Sequence, residues 1–368
     1  MRVINLPAML AFIFLAGPAI GADAAASVWK DSGLPLPVKL STKTIKVGVS
    51  PAMDLTLPDG DSRIEVENSV EGRSLKLGTR YNFIVGKVQY WAAYGMPVYG
   101  DLVNLETALS DDIGFGRIYY NTKFLERART GLAGLRFSVS GVALFVSAGR
   151  TDWHLSPFAN PDLEDAGQID SLAVEAVPAS DFSVVPEMFE PEVSRIRFRH
   201  AFRGLGGDWH FDKLEADATW RIPALRESDE AAFRAVGGQS LNIAPNLPVR
   251  ETFALGGGSA LRGYRYEEYR GTGILLGGVE YGVYLPFVVD MDRWKAGLTR
   301  NHFLVFGEVG RTEHDWFRPD IGLKKSAGAG FRFRGHWGER RLSLDVQVAQ
   351  AIAAGQRAPV WYLMADLK

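Results

Sequence analysis

Cysteine is absent from all 368 residues. A disulfide framework and thiol chemistry are excluded, so an exported chain of this kind must be held by its own hydrogen-bond ladder. A surplus of charge of either sign is also missing. The 41 Lys and Arg are matched by 43 Asp and Glu, for a net charge of −2. Without a basic patch or stripe, nucleic acid is not an expected partner. Long apolar runs are equally scarce. Beyond residues 8–20 no stretch stays apolar for the roughly 20 residues that a membrane helix needs. Residence in a membrane would then require a β-barrel, which satisfies its backbone groups between strands.

Signatures of catalysis and metal binding are lacking as well. The six histidines, His154, His200, His210, His302, His314 and His336, show no metal-ligand spacing. Gly256-Gly257-Gly258-Ser259 lacks the second glycine of a Gly-x-Ser-x-Gly nucleophile elbow. Phosphate-loop and dinucleotide fingerprints do not occur. No acid, base and nucleophile set shares a face. Catalytic residues, a metal and a cofactor are therefore not expected, and the chain is not read as an enzyme.

What is present begins at the N-terminus. Arg2 precedes the apolar residues 8–20 and the small-x-small triplet Ala22-Asp23-Ala24. This is the pattern of a secretory signal peptide, too short to span a bilayer. The expected layout is a signal peptide over 1–24, a short periplasmic linker over 25–43 and a barrel over 44–368. Forty glycines, 21 phenylalanines, 12 tyrosines and nine tryptophans suit many short strands with turns and interfacial aromatics.

Alternation of apolar and polar residues is the main structural signal, because a barrel strand shows one face to lipid and the other to a wet lumen. Over 340–351, Leu342, Leu344, Val346 and Val348 share one face, and Arg341, Ser343, Asp345 and Gln347 share the other. Phe331 and Phe333 alternate with Arg332 and Arg334, and Leu214 to Ile222 alternate with Lys213 to Arg221. Similar segments fall at 44–51, 62–71, 74–91, 98–109, 113–124, 132–140, 142–150 and 167–177. Others follow at 193–204, 209–222, 232–241, 272–286, 302–311, 324–335 and 359–367. The whole predicts an all-β, transmembrane antiparallel barrel of about 16 strands, an even number as single-chain bacterial barrels have. Its connections are alternately short and long; 287–300 is long where the register predicts a periplasmic turn.

The stretch Phe253-Ala254-Leu255-Gly256-Gly257-Gly258-Ser259-Ala260-Leu261-Arg262-Gly263-Tyr264 resembles the bacterial surface antigen superfamily. That superfamily holds the BamA and TamA assembly proteins and the two-partner secretion transporters. Its hallmark is a Gly-Gly run leading to a Val/Leu-Arg-Gly-Phe/Tyr tetrad in a long sixth extracellular loop folded into the lumen. The strand count independently places this stretch between the eleventh and twelfth strands. Gly278-Val279-Glu280-Tyr281 resembles the next strand of the family. Phe306-Gly307-Glu308-Val309-Gly310 resembles its F-x-D-x-G strand, with Glu308 in place of the usual Asp. Ser326 to Arg334 and Leu342 to Ala349 resemble its last strands, so that the resemblance covers residues 200–368. Two departures stand out: the segment before the barrel is too short for the family's POTRA modules, and the chain closes on Asp366-Leu367-Lys368 without a terminal aromatic residue.

Within this frame Arg262 is the leading functional candidate, since a guanidinium presents five donors in a fork that matches a carboxylate. Glu308 is the expected acceptor. Alternation puts Phe306, Glu308 and Gly310 on one face of their strand, and a carboxylate is costly against lipid, so that face looks inward. The resemblance implies the same pair. Leu261, Gly263 and Tyr264 complete the loop motif, with Gly263 allowing a sharp turn and Tyr264 packing against the wall. The pair is either a static lock or a moving part of a transport cycle. A second feature is the row Arg195, Arg197, Arg199 and Arg203, read either as a basic lumen wall guiding anions or polypeptide, or as a solvated face paired with acids such as Glu215 and Asp217.

The resemblance implies a protein of the Gram-negative outer membrane, exported through the Sec pathway, that assists insertion of polypeptides into that membrane or their translocation across it. A passive channel or structural barrel is the alternative. Outer-membrane lipid, client polypeptides and a separate periplasmic subunit are the implied partners.

Overall fold

The computed structural model describes residues 39–49, 63–71, 75–82, 87–98, 101–118, 122–139, 142–157, 165–178 and 194–367, the last span without 222–223, 245, 259, 292–295, 314–321, 339 and 353–357. The expected signal peptide and most of the linker lie outside these residues. In chain order the first strands are β1 (Lys39–Val49), β2 (Arg63–Glu71), β3 (Leu75–Asn82), β4 (Lys87–Val98), β5 (Asp101–Ile118), β6 (Thr122–Val139), β7 (Val142–Pro157), β8 (Asp165–Pro178) and β9 (Arg195–Phe202). They continue with β10 (His210–Arg221), β11 (Glu230–Ala244), β12 (Phe253–Leu255), β13 (Tyr269–Gly271), β14 (Gly273–Leu285), β15 (Val289–Met291), β16 (Ala296–Glu313), β17 (Lys324–Trp337), β18 (Arg340–Ala351) and β19 (Val360–Leu367).

Seventeen of these strands belong to one sheet, and each of its pairings is antiparallel between neighbours along the wall. β1 pairs with β2 on one side and with β19 on the other. The two remaining strands, β12 and β13, form a ribbon within the loop that joins β11 to β14. Among the described residues no helix is long and apolar enough to cross a membrane.

The strands alternate as the sequence does, with an inverted outcome: apolar groups are exposed and charged groups are covered. On β8, Leu172 is 51% and Val174 44% exposed, whereas Asp170 and Glu175 are each 4% exposed. On β9, Ile196 and Phe198 point outward between Arg195, Arg197 and Arg199. In water this pattern would leave a wide apolar surface uncovered and would bury charge; with lipid outside and a polar lumen inside it is the expected arrangement. The compact apolar packing accordingly sits inside the wall. Phe253, Leu255, Leu261, Tyr264 and Tyr269 of the loop pack on Ile274 and Leu276 of β14 and Ala351 of β18. A second cluster gathers Trp153, Leu155, Ile169, Trp209 and Phe211 under Ile243, Leu247 and Val249.

Several strand limits differ from those read in the sequence. Of the stretch 74–91, residues 75–82 lie in β3 and 87–91 in β4, which pair with each other antiparallel. The polar group Ser110-Asp111-Asp112, read as a break, lies within the continuous strand β5, where Asp111 stands opposite Arg129. β1 opens at Lys39, within the stretch read as linker. Within 287–300, β15 pairs with β16, Val289 opposite Leu298, and Asn301 Nδ2 donates to the Phe287 carbonyl at 2.6 Å.

Candidate functional site in the lumen

The loop after β11 enters the lumen through a short 3-10 turn, Val249–Glu251, and β12, and leaves through β13. Its tip is pinned by its own backbone. Gly256 N donates to Ala260 O at 2.6 Å and Gly257 N to Tyr264 O at 3.2 Å. Leu261 takes φ +76°, a left-handed conformation that costs a side-chain-bearing residue about 1–3 kcal/mol. The cost is met by complete burial of its side chain among the loop's apolar neighbours. Gly263 takes φ +88°, and a Cβ there would lie 2.9 Å from the Ala351 amide nitrogen. Only glycine brings the backbone this close to β18.

These turns aim Arg262 at the wall. Its Nε donates to Glu308 Oε1 at 2.7 Å and its backbone N–H to Oε2 of the same carboxylate at 2.6 Å. One Nη donates both to Glu280 Oε2 at 3.1 Å and to Gln347 Oε1 at 2.8 Å. The guanidinium carbon sits 3.4 Å above the centre of the Phe306 ring. Flanking contacts fix the rest of the tetrad: Tyr362 Oη accepts from Gly263 N at 2.9 Å, and Tyr264 Oη donates to the Lys325 carbonyl at 3.1 Å.

The wall side of the site is set by register. Phe306, Glu308 and Gly310 share the inner face of β16, beneath Arg262 and Leu255 of the loop. Gly278 stands opposite Glu308 and leaves room for it. Gly328 stands opposite Phe306; a Cβ there would overlap the ring, which therefore lies flat for the guanidinium to cover. Beyond Glu280 the network continues: Arg332 donates to Glu280 at 2.8 Å and to Asp345 at 2.9 Å, and Gln347 Nε2 donates to Asp345 at 3.4 Å. Three carboxylates and two guanidiniums thus interlock the tip with β14, β16, β17 and β18. Such a cluster specifies one position of the loop more than it adds net stability, since each ion has given up water.

Arg262, Glu308, Phe306, Gly310, Leu261, Gly263 and Tyr264 are therefore gathered in one place. The further members Glu280, Gln347, Arg332, Asp345 and Tyr362 were not singled out by sequence. Their alternation marked several of them as inward-facing, but the choice among inward groups depends on cross-strand register.

The arginine row divides. Arg195, Arg197 and Arg199 share the lumen face of β9, whereas Arg203 lies beyond the strand end, exposed, where a 3-10 turn begins. Glu215 and Asp217 stand opposite Arg197 and Arg195 across the strand pair, and further acids take part. Arg197 Nε is 3.6 Å from Glu175, and Arg199 pairs with Glu251 of the loop. Asp217 is taken by Arg234 at 2.7 Å and Glu215 by Lys213 at 3.2 Å. The first limb of the loop is thus tied to the opposite wall, with Arg250 donating to Glu126 of β6 at 2.6 Å. Among the described residues no group of three or more His, Asp or Glu is arranged to hold a metal.

The second half of the chain is similar to a known family. Residues 191–354 match the Omp85 superfamily domain. The Omp85 match contains the loop, its tetrad and every wall residue of the site except Tyr362. The fold extends over more of the chain. BamA from Haemophilus ducreyi, in a crystal structure lacking POTRA domains 1–3, superposes with a TM-score of 0.60 at 13% identity, covering 94% of this chain and 78% of that one. CdiB from Acinetobacter baumannii gives 0.55 at 13% identity, covering 90% of this chain and 60% of that one. CdiB from Escherichia coli gives 0.54 at 15% identity, with 91% and 68% covered. No curated protein matches the sequence. The Omp85 match over residues 191–354 and the exposed apolar wall agree with a β-barrel of the Gram-negative outer membrane.

Proposed function

We propose that this barrel assists the insertion of polypeptides into the outer membrane or their translocation across it, with the Arg262 loop as the lumen element whose position is controlled. The observation that carries the reading is the clamp itself: Arg262 is held between Glu308 and Glu280 over Phe306, at the end of a loop that crosses the lumen. A charged cluster of this kind holds one discrete position and is released as a unit, the property required of a two-state element. Kinship with assembly and secretion barrels agrees with it. Client polypeptides and a periplasmic subunit would be the partners, and no bond is made or broken.

The test combines a client-insertion assay in liposomes with planar-bilayer conductance on the purified protein. The proposal expects accelerated client assembly and small, fluctuating conductance, with Arg262→Ala altering both. Steady, wide conductance with no effect on client assembly would instead identify a passive channel.

A further inference from the structure

The rim from which the long loop departs carries a polar group of side chains on the outer surface of the wall. On the outward face of β9, Ile196 and Phe198 lead to His200, and on that of β10, Leu214 leads to Asp212 and His210. On β8 the same change falls between Leu172 and Asp170. The apolar band of the wall ends at this level, since a carboxylate facing hydrocarbon would be costly. Although apart in sequence, the two histidines meet by register, with ring centres 5.3 Å apart and planes at 83°. The support behind His200 is built. Its Nδ1 lies 2.6 Å from Asp212 Oδ1, and Asn242 Nδ2 donates to the other oxygen of that carboxylate. Asn242 takes φ +51° where the register between β10 and β11 shifts, which aims its amide at Asp212. A carboxylate only accepts, so Nδ1 carries the proton and the neutral ring keeps its lone pair on Nε2. Among the described residues neither that Nε2 nor either nitrogen of His210 has a hydrogen-bond partner.

We propose that His200 and His210 together bind one zinc ion, with water in the remaining positions. A carboxylate behind a histidine, fixing its tautomer and ring orientation, is the usual outer partner of a metal-binding imidazole. Asp212 has that place, and Phe202 stacks on the His200 ring at 6.1 Å. With metal–nitrogen bonds of about 2.0–2.1 Å, two imidazole centres on one tetrahedral ion stand about 5 Å apart. The two rings already have that separation. The His200 side chain is 38% exposed, so an ion and its waters can reach it. Imidazole nitrogen takes zinc, whereas magnesium and calcium take oxygen. Two ligands, rather than three or four, make this an open site for an exchangeable ion and not a structural centre. The inference does not rest on client handling.

The test is titration calorimetry on the untagged, chelator-washed full chain in a neutral detergent, with zinc chloride in one run and magnesium chloride in another. One saturable zinc site per chain is expected, and none for magnesium. His200→Ala and His210→Ala should each weaken zinc binding at least tenfold while keeping the gel mobility of a folded barrel. Asp212→Asn keeps both imidazoles and removes the carboxylate, so it should weaken zinc by about 10–100-fold. His336→Gln, at the opposite end of the wall, should bind as the parent does. Should His200→Ala fail to fold, His210→Ala carries the test, because that ring makes no hydrogen bond among the described residues. Absence of saturable zinc binding, or undiminished affinity in any of the three folded rim variants, overturns the proposal and leaves Asp212 and His200 as a surface ion pair.

Discussion

The two limbs of the long loop are both charged and both docked on the lumen wall, yet they are held by different means. On the second limb, Arg262 has its side chain and its own backbone N–H on one carboxylate, a ring beneath it and two further acceptors. Its neighbours occupy left-handed conformations against β18. On the first limb, Arg250 meets one acid, Glu126, and Glu251 sits between Arg199 and Lys213 beside an open cavity. The contrast teaches that charge alone does not make a clamp. Where backbone geometry and apolar packing fix the approach, ion pairs select one position; where the pairs stand beside a cavity, the same residue types tether the limb without fixing its approach.

The largest expected effect comes from Arg262→Ala, which strands Glu308 and Glu280 without their shared cation. Loss of one partner of a buried pair costs about 3–5 kcal/mol, read as a fall in the thermal unfolding midpoint of the barrel. Arg262→Lys should recover only part of it, because the fork is gone. Next is Gly263→Ala. With φ at +88° and backbone in the way, it should weaken docking of the tip by about 1–3 kcal/mol, measured as faster tryptic cleavage of the loop. Tyr362→Phe leaves the Gly263 amide without its acceptor, a loss of about 1–3 kcal/mol that hydrogen exchange at that amide would report. Arg250→Ala, at a more exposed pair on the first limb, should cost less, about 1 kcal/mol by the same thermal midpoint.

The smallest effect is one of pH. Asp229, in the connection before β11, accepts from the Tyr284 backbone N–H and from the Tyr281 hydroxyl, and these bonds hold its carboxyl below the usual carboxylate range. A depressed carboxylate contributes stability above its unfolded value and loses it as pH falls through the folded one. Asp229→Asn should therefore lower the thermal midpoint slightly at neutral pH and flatten its decline below about pH 4, where the two proteins converge.

Much of this was legible in the residues. Alternation marked the inward faces, and the tetrad with Phe306-Gly307-Glu308 marked both sides of the clamp. Strand limits were less legible where the local pattern contradicted the fold: Ser110-Asp111-Asp112 interrupts the alternation inside the continuous strand β5. Glu280, Arg332 and Asp345 were visible as inward polar groups, but their meeting depends on which residue stands opposite which across β14, β16, β17 and β18. A polar lumen face carries little information about register, because any neighbour of opposite charge would serve. Arg203 shows the converse error: it continued the arginine row in sequence, while the chain had already turned away at the end of β9.

The central claim is that the second limb is clamped and the first limb is only tethered. Paired double-mutant cycles test it most directly, with Arg262→Ala and Glu308→Ala on one side and Arg250→Ala and Glu126→Ala on the other, all read by equilibrium unfolding of the barrel. The account predicts a coupling of about 2–3 kcal/mol for the first pair and under about 1 kcal/mol for the second. Equal couplings, or a larger one for Arg250 and Glu126, would contradict it.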